Sequence, residues 1–150
     1  MTPVPIAMTE THPLAHLEAV LIIGIAGFAG SNLRYFLDLL IPSTLLATLT
    51  VNVLGCVALG FFFYEGLYSG LVSEQSYLVV ATGFISSFTT YSTFVVDAVL
   101  ADPAVAVLYV FGSYVFGFGA VLVGRQGARW LHTRTASEES VDPATVGGEE

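Results

Sequence analysis

The sequence predicts an all-α membrane protein with four transmembrane helices per chain, and three observations support this fold class. Of the 150 residues, 55% are hydrophobic and only 11% are charged, whereas an ordinary soluble domain carries about 25% charged residues. The mean hydropathy is +0.79. Four apolar runs, each close to the roughly 20 residues that cross a bilayer as a helix, take up most of the chain. A membrane barrel would instead show alternating strands of about 10 residues.

The charges exclude several classes of function. The chain has 12 acidic residues and 4 basic ones, all of them arginine, which gives a net charge of -8. Nucleic-acid binding and binding to a membrane surface both require basic surface. An acidic chain without lysine favours a halophilic source. The single Cys56 cannot form an intrachain disulfide, and one cysteine with three scattered histidines is no metal-binding framework.

The chain is predicted to form one domain. Residues 18–132 form the four-helix transmembrane domain, between a disordered N-terminal tail (1–17) and a disordered acidic C-terminal tail (133–150). The N-terminal tail contains three prolines and no basic residue, so it lacks the positive start of a secretory signal. The spans leave no room for a catalytic domain, and we therefore expect that the protein is not an enzyme.

The first apolar run covers about residues 19–41. Its first half is strongly apolar, with glycines at every third position that favour close helix packing. Its second half contains Asn32, Arg34 and Asp38, so this end is expected to reach the membrane interface or a wet, protein-lined space. Pro42 ends the run.

The second run, from about Thr44 to Tyr64, carries an amide near its centre. An unpaired side-chain amide in hydrocarbon costs several kcal/mol, so Asn52 must face a partner helix or water. Thr48 lies one turn earlier on the same face. Two interpretations are open: Asn52 lines a polar path, or it makes a hydrogen bond that only holds helices together.

The third run, from about Tyr77 to Leu100, is dense in hydroxyls at residues 86–93. Phe88, Tyr91, Phe94 and Asp97 recur at every third position, which places three aromatic rings and a carboxylate on one helical face. Such a stripe alone is more often packing than a site. The hydroxyls beside it exceed what packing needs, and a polar, interrupted stretch at mid-membrane is tolerated where it lines a cavity or is buried in protein. We therefore expect a break in the third helix, and such breaks expose carbonyls that bind cations and amides that bind anions.

The fourth run, from about Ala104 to Gly124, places Tyr109, Ser113 and Gly117 on one stripe. With Thr48 and Asn52, its hydroxyls supply neutral hydrogen-bond donors and no lysine or arginine. Neutral donors suit a small anion that must shed water without being trapped. The electropositive edges of aromatic rings can contact the same anion. These patterns do not specify which anion.

Three stretches resemble the signatures of a known family. GFAGSNLRY (27–35), TLTVNVLG (48–55) and GFISSFTTYSTF (83–94) are similar to those of the Fluc fluoride channels, also called CrcB, over about residues 18–125. The resemblance implies a fluoride-selective channel in the cell membrane that exports cytoplasmic fluoride passively and relieves its toxicity. It implies that two chains work as an antiparallel, dual-topology dimer with two pores.

The resemblance also implies roles for particular residues. Asn52 matches the pore asparagine of the family, and Tyr91 and Phe94 match two phenylalanines whose ring edges face fluoride. A row of pore hydroxyls matches Thr48, Tyr109 and Ser113. The backbone carbonyls of Ser86 and Thr89, at the break, match those that hold a structural sodium ion at the dimer axis.

The chain departs from the family pattern at three of these places. Tyr91 stands where the family has phenylalanine, and a phenol offers an O–H as well as ring edges. Ser86 and Ser87 stand where the family has two glycines, and serine tolerates fewer backbone conformations. Gly117 stands where the family has a third pore hydroxyl.

Two other classes of function remain to be weighed against a channel. A small proton-coupled multidrug exporter also has four short spans, but it needs a carboxylate deep in a span, and Glu18 and Asp97 are the candidates here. A structural assembly subunit would leave the clustered hydroxyls unexplained.

The partner in a dimer is also open. Three arginines follow the fourth span, against only Arg34 towards the other side. Basic residues near span ends are retained in the cytoplasm, so this small bias allows either insertion both ways with self-pairing or pairing with an oppositely oriented paralogue.

Overall fold

The computed structural model describes residues 13–68, 76–77 and 79–139, most of which lie in helices. Helix α1 is Pro13–Leu40 and helix α2 is Thr44–Tyr68. The third span consists of a π-helical segment, Val79–Ile85, a single turn α3, Ser86–Phe88, and helix α4, Ser92–Leu100. Helix α5 is Pro103–Glu139.

Four segments are long and apolar enough to cross a membrane, as the sequence predicts. They are His16–Leu40, Thr44–Tyr64, Val79–Leu100 and Pro103–Arg134. Prolines mark several of their ends. Pro13 and Pro103 occupy first helical positions, where a missing N–H costs nothing. Asp102 adds an acceptor at the start of α5, where its carboxylate accepts the Ala104 N–H at 3.0 Å.

The helices extend further than the domain boundaries expected from composition. Helix α1 begins before residue 18, and α5 continues past residue 132 to Glu139. The sequence after Gly127 contains no proline or glycine up to Glu139 and is rich in helix-forming alanine, arginine, leucine and glutamate. The remainder of the two expected tails, residues 1–12 and 140–150, lies outside the described residues.

Helices α2 and α5 make the most extensive helix–helix contact. A Cβ added to Gly60 would meet the backbone of Val121, and one added to Gly124 would meet the backbone of Val57. Glycines at both positions let the two backbones approach closely. Contacts advance along both helices together, from Cys56 with Gly117 to Gly60 with Val121, so α2 and α5 run in the same direction.

Helix α1 packs on the first part of the third span through a second set of glycines. A Cβ at Gly30 would meet the carbonyl of Phe84, and one at Gly83 would lie 2.7 Å from the carbonyl of Ile23. The expectation that the glycines of the first span serve packing is therefore confirmed at Gly30, while Gly24 faces open space.

Much of the apolar surface of the chain is exposed. Phe28 is 73% exposed, Val99 76% and Phe118 71%, whereas the buried core is small and centred on residues such as Val51 and Phe88. A soluble monomer rarely exposes apolar patches of this extent. Lipid tails and neighbouring helices can cover such faces, which fits an integral membrane protein.

Candidate functional site

The third span is interrupted at residues 89–91, between α3 and α4. Thr89 is extended, with φ -78° and ψ 161°. The amide of Asn52 on α2 binds the backbone of the next residue twice: Nδ2 donates to the carbonyl of Thr90 at 2.9 Å, and Oδ1 accepts the N–H of Thr90 at 2.8 Å. Asn52 thus replaces the two hydrogen-bond partners that the Thr90 backbone would have in a continuous helix.

Hydroxyls at the interruption satisfy the start of α4. Thr90 Oγ1 accepts the N–H of Thr93 at 3.2 Å, as a helix-capping oxygen does. It also donates to Thr93 Oγ1 at 3.0 Å and lies 3.3 Å from Ser92 Oγ. Part of the hydroxyl density in this span therefore serves the local backbone.

Two carbonyls lose their helical donors as a result. In a continuous helix the carbonyl of Ser86 would accept the N–H of Thr90, and the carbonyl of Thr89 would accept that of Thr93. Those two N–H groups bind Asn52 and Thr90 Oγ1 instead. The side chains of Ser86 and Thr89 bind back to carbonyls of the preceding turn, at Thr82 and Ile85. The two backbone carbonyls therefore lack the donors that a continuous helix would give them.

A cavity of about 250 Å³ lies beside the interruption. Four of the predicted pore residues line it: Asn52 on α2, Tyr91 at the break, Phe94 on α4 and Ser113 on α5. Further lining residues that sequence reasoning did not assign to the path are Cys56, Tyr114, Phe118 and Val121.

The polar groups of this cavity are neutral donors with unused capacity. Ser113 Oγ is buried and makes no hydrogen bond within the described residues. A side-chain amide carries two N–H donors, and Asn52 uses one of them on Thr90. Cys56 is half-buried, and its Sγ lies 3.6 Å from where a Cβ of Gly117 would stand. The thiol therefore lies beside the position where the expected third hydroxyl is absent.

Aromatic rings form the remaining wall. The Phe94 ring lies 5.9 Å from that of Tyr91 and 5.2 Å from that of Tyr109, and it meets the ring of Tyr114 edge-on at 6.4 Å. Phe94 is half-buried, whereas Tyr91 is 73% exposed. Phe94 is thus held from three sides, and Tyr91 stands at the open side of the cavity.

The other two predicted pore residues lie in a buried cluster with an acidic side chain. Thr48 Oγ1 donates to Asp97 Oδ2 at 2.7 Å, and the two residues are 2% and 8% exposed. Tyr109, also 8% exposed, contacts Phe94 and does not line the cavity. The three-residue spacing of Phe94 and Asp97 indicated that the carboxylate shares a helical face with the aromatic rings. The hydrogen bond between Asp97 and Thr48 was not predicted. The described residues contain no group of three or more histidine, cysteine or acidic side chains that could hold a metal ion.

Four spans, an interrupted third span and a small cavity lined by neutral donors define a multi-pass membrane protein of the channel or transporter class. The family profile described as "CrcB-like protein, Camphor Resistance (CrcB)" matches residues 21–125. The chain belongs to this family.

Known relatives cover most of the chain. A protein of Haloarcula marismortui named "Fluoride-specific ion channel FluC 1" is 54% identical over 122 residues, which are 81% of this chain and 94% of the relative. A protein of the same name from Natronomonas pharaonis is 45% identical over 114 residues, 75% of this chain and 96% of the relative. "Fluoride-specific ion channel FluC" of Chlorobium chlorochromatii is 39% identical over 120 residues, 75% of this chain and 93% of the relative.

Proposed function

We propose that this chain forms a fluoride-selective channel in the cell membrane, which exports cytoplasmic fluoride passively and thereby relieves its toxicity. The observation that carries the proposal is the cavity in which Asn52, Ser113 and Phe94 converge, in a chain whose relatives are named fluoride-specific ion channels. No reaction is catalysed, and the anion moves down its electrochemical gradient.

The proposed pore binds fluoride through neutral groups. The spare N–H of Asn52 and the O–H of Ser113 replace part of the water shell of the anion, and the ring edges of Phe94 and Tyr91 contact it with their positive rim. None of the described residues that line the cavity is an arginine. Binding is then strong enough for the ion to enter and weak enough for it to leave. Thr48 and Tyr109 do not line the cavity, and their role in the path is proposed from the family resemblance alone.

Efflux from liposomes tests this proposal. Purified protein is reconstituted in vesicles loaded with potassium fluoride, and a potassium ionophore removes the electrical barrier. Fluoride should leave rapidly and chloride far more slowly. Equal rates for the two anions would contradict the proposal.

One observation keeps the proton-coupled exporter in view as a second candidate. Asp97 is a buried carboxylate within a span, as such an exporter requires. It does not line the cavity, and Thr48 holds its carboxylate by a hydrogen bond. Cation exchange driven by a proton gradient, without fluoride flux, would favour the exporter.

The functional unit is proposed to be an antiparallel dimer of two identical chains, or of this chain with a paralogue. The exposure of Tyr91 at the open side of the cavity supports a second subunit there. Reporters fused to the C-terminus and active on one side of the membrane distinguish the two arrangements. Signal on both sides supports the homodimer. Signal inside only, with no flux from the purified chain alone, supports a pair of paralogues.

A structural sodium ion is proposed to lie on the dimer axis, with the carbonyls of Ser86 and Thr89 from both subunits as ligands. Hard cations take oxygen ligands, and these carbonyls have lost their helical donors to Asn52 and Thr90. The ion would hold the two subunits together at the break. A crystal structure grown in sodium should contain it, and a site without an ion in such a structure would contradict the proposal.

A further inference from the structure

A second and larger cavity lies between the later parts of α2 and α5, at the end of the molecule where α5 continues beyond its apolar run. It encloses about 670 Å³. Most of its lining is apolar, with Leu59 and Phe63 from α2 and Leu122 from α5. It shares Val121 with the cavity of the candidate site, but none of the polar residues of that site.

The polar residues of this groove lie at the ends of the apolar spans. Tyr64 closes the second apolar run, Tyr77 precedes the π-helical start of the third span, and Arg125 directly follows the fourth apolar run. Tyrosine and arginine are the side chains that anchor span ends at the level of the lipid headgroups. The groove is therefore apolar towards the bilayer centre and cationic where headgroups begin.

Among the described residues that line the groove, Arg125 is the only charged one. Its side chain is exposed, and within the part of the chain that the structure describes no carboxylate forms a salt bridge with it. A small hydrated anion gains nothing from the apolar lining, whereas an amphiphile with one negative group and an acyl chain matches both parts.

We propose that this groove binds one anionic phospholipid, whose phosphate pairs with Arg125 and whose acyl chain lies along Leu59, Phe63 and Leu122. The arginine forms the charge-assisted hydrogen bonds that phosphate accepts from a guanidinium. The site is independent of fluoride conduction, so the outcome of flux measurements does not decide it.

The chain provides a matched control. Arg129 lies one turn further along α5, is also exposed and does not line the groove. Arg134 is unsuitable because it lies 3.9 Å from the centre of the Trp130 ring, in a cation–π contact. Replacing Arg125 or Arg129 by glutamine removes the same charge from the same end of the molecule, and only one of the two changes alters the groove.

Native mass spectrometry of the full-length protein measures the binding directly. The protein is titrated with phosphatidylglycerol or with phosphatidylcholine of the same acyl chains. We expect preferential retention of one phosphatidylglycerol per chain. Arg125→Gln should weaken it about fivefold, the value of one basic side chain near an anionic surface, whereas Arg129→Gln should leave it near the starting level.

A second variant tests the apolar part without changing the charge. Leu59→Trp fills the groove and should also lower phosphatidylglycerol retention, with helix content checked by circular dichroism. The proposal is overturned by equal loss in Arg125→Gln and Arg129→Gln, by equal retention of the two lipids, or by displacement of the lipid by inorganic phosphate. It is also overturned if Leu59→Trp lowers the proportion of dimer and leaves the lipid bound, because the groove would then be covered by a second copy.

Discussion

Replacing Asn52 by serine separates the two interpretations of this residue. The amide makes two hydrogen bonds to the Thr90 backbone, at 2.9 and 2.8 Å, and also lines the cavity. Serine is too short to reach both groups of Thr90. The change therefore leaves a partly buried N–H and C=O without partners and removes one donor from the cavity.

The structure sets the size of both effects. Each unsatisfied backbone group costs about 1–3 kcal/mol, so the loss of both partners should lower the free energy of unfolding by about 2–6 kcal/mol. A hydrogen bond to a charged group contributes about 1.5–3 kcal/mol, and each 1.36 kcal/mol changes a rate tenfold. Loss of the Asn52 donor should thus lower fluoride flux by about 10- to 100-fold in protein that remains folded.

Fluoride efflux from liposomes gives the flux, and thermal unfolding together with cross-linking gives the folded, assembled fraction. Asn32→Ser is the matched control, because it makes the same chemical change at an exposed amide that binds only the Phe28 carbonyl of its own helix, at 2.8 Å. Normal flux per assembled Asn52→Ser protein would refute a pore role and leave this residue as a support of the break.

Three further predictions rest on single contacts. Phe94→Ile keeps apolar bulk but removes the ring edge from the cavity, so fluoride efflux should fall at least tenfold. Phe111→Ile is the control, because Phe111 is 68% exposed and lies away from the cavity, and it should leave efflux unchanged. Equal efflux in the two variants would remove Phe94 from the site. Tyr91→Phe should retain fluoride efflux because the ring edge is kept, and loss of most flux in assembled protein would assign a direct role to the phenol O–H. Gly60→Ala should lower the unfolding temperature, because its Cβ would meet the Val121 carbonyl and overpacking costs about 1–3 kcal/mol. Gly119→Ala is the control, because a Cβ there would have nothing within 4 Å. Equal unfolding temperatures of the two variants would contradict the packing argument.

The spans were predictable because their signal is local. The second apolar run lies within helix α2, Thr44–Tyr68, as the sequence predicts, since a bilayer requires a minimum apolar length whatever the neighbours are. The π-helical winding of Val79–Ile85 was not predictable, because nothing in VVATGFI distinguishes a π-helix from an α-helix. The close contact of Gly83 with α1, at the Ile23 carbonyl, arises only in the folded chain.

The site was predictable in its residue types but not in its pairings. Asn52, Phe94 and Ser113 line the cavity. They could be chosen from the sequence alone because a polar side chain in a span needs a hydrogen-bond partner or water, and because Phe94 lies beside the cluster of hydroxyls. The hydrogen bond between Thr48 and Asp97 joins positions 49 residues apart, so helix periodicity cannot reveal it. Cys56 was overlooked as a lining residue because a thiol in an apolar run has the composition of ordinary core.

The two roles of Asn52 follow from one geometry. Because its carbonyl oxygen accepts the Thr90 N–H, the carbonyl of Ser86 loses that donor, and we propose this carbonyl as a cation ligand. Because its Nδ2 donates only one of two hydrogens to Thr90, the other is left for the cavity. A single amide thus connects the proposed cation site at the break to the proposed anion path beside it. A change that withdraws Asn52 from Thr90 alters both sites at once, whereas a change at Ser113, which lies on α5 and has no hydrogen bond to the break, alters only the anion path.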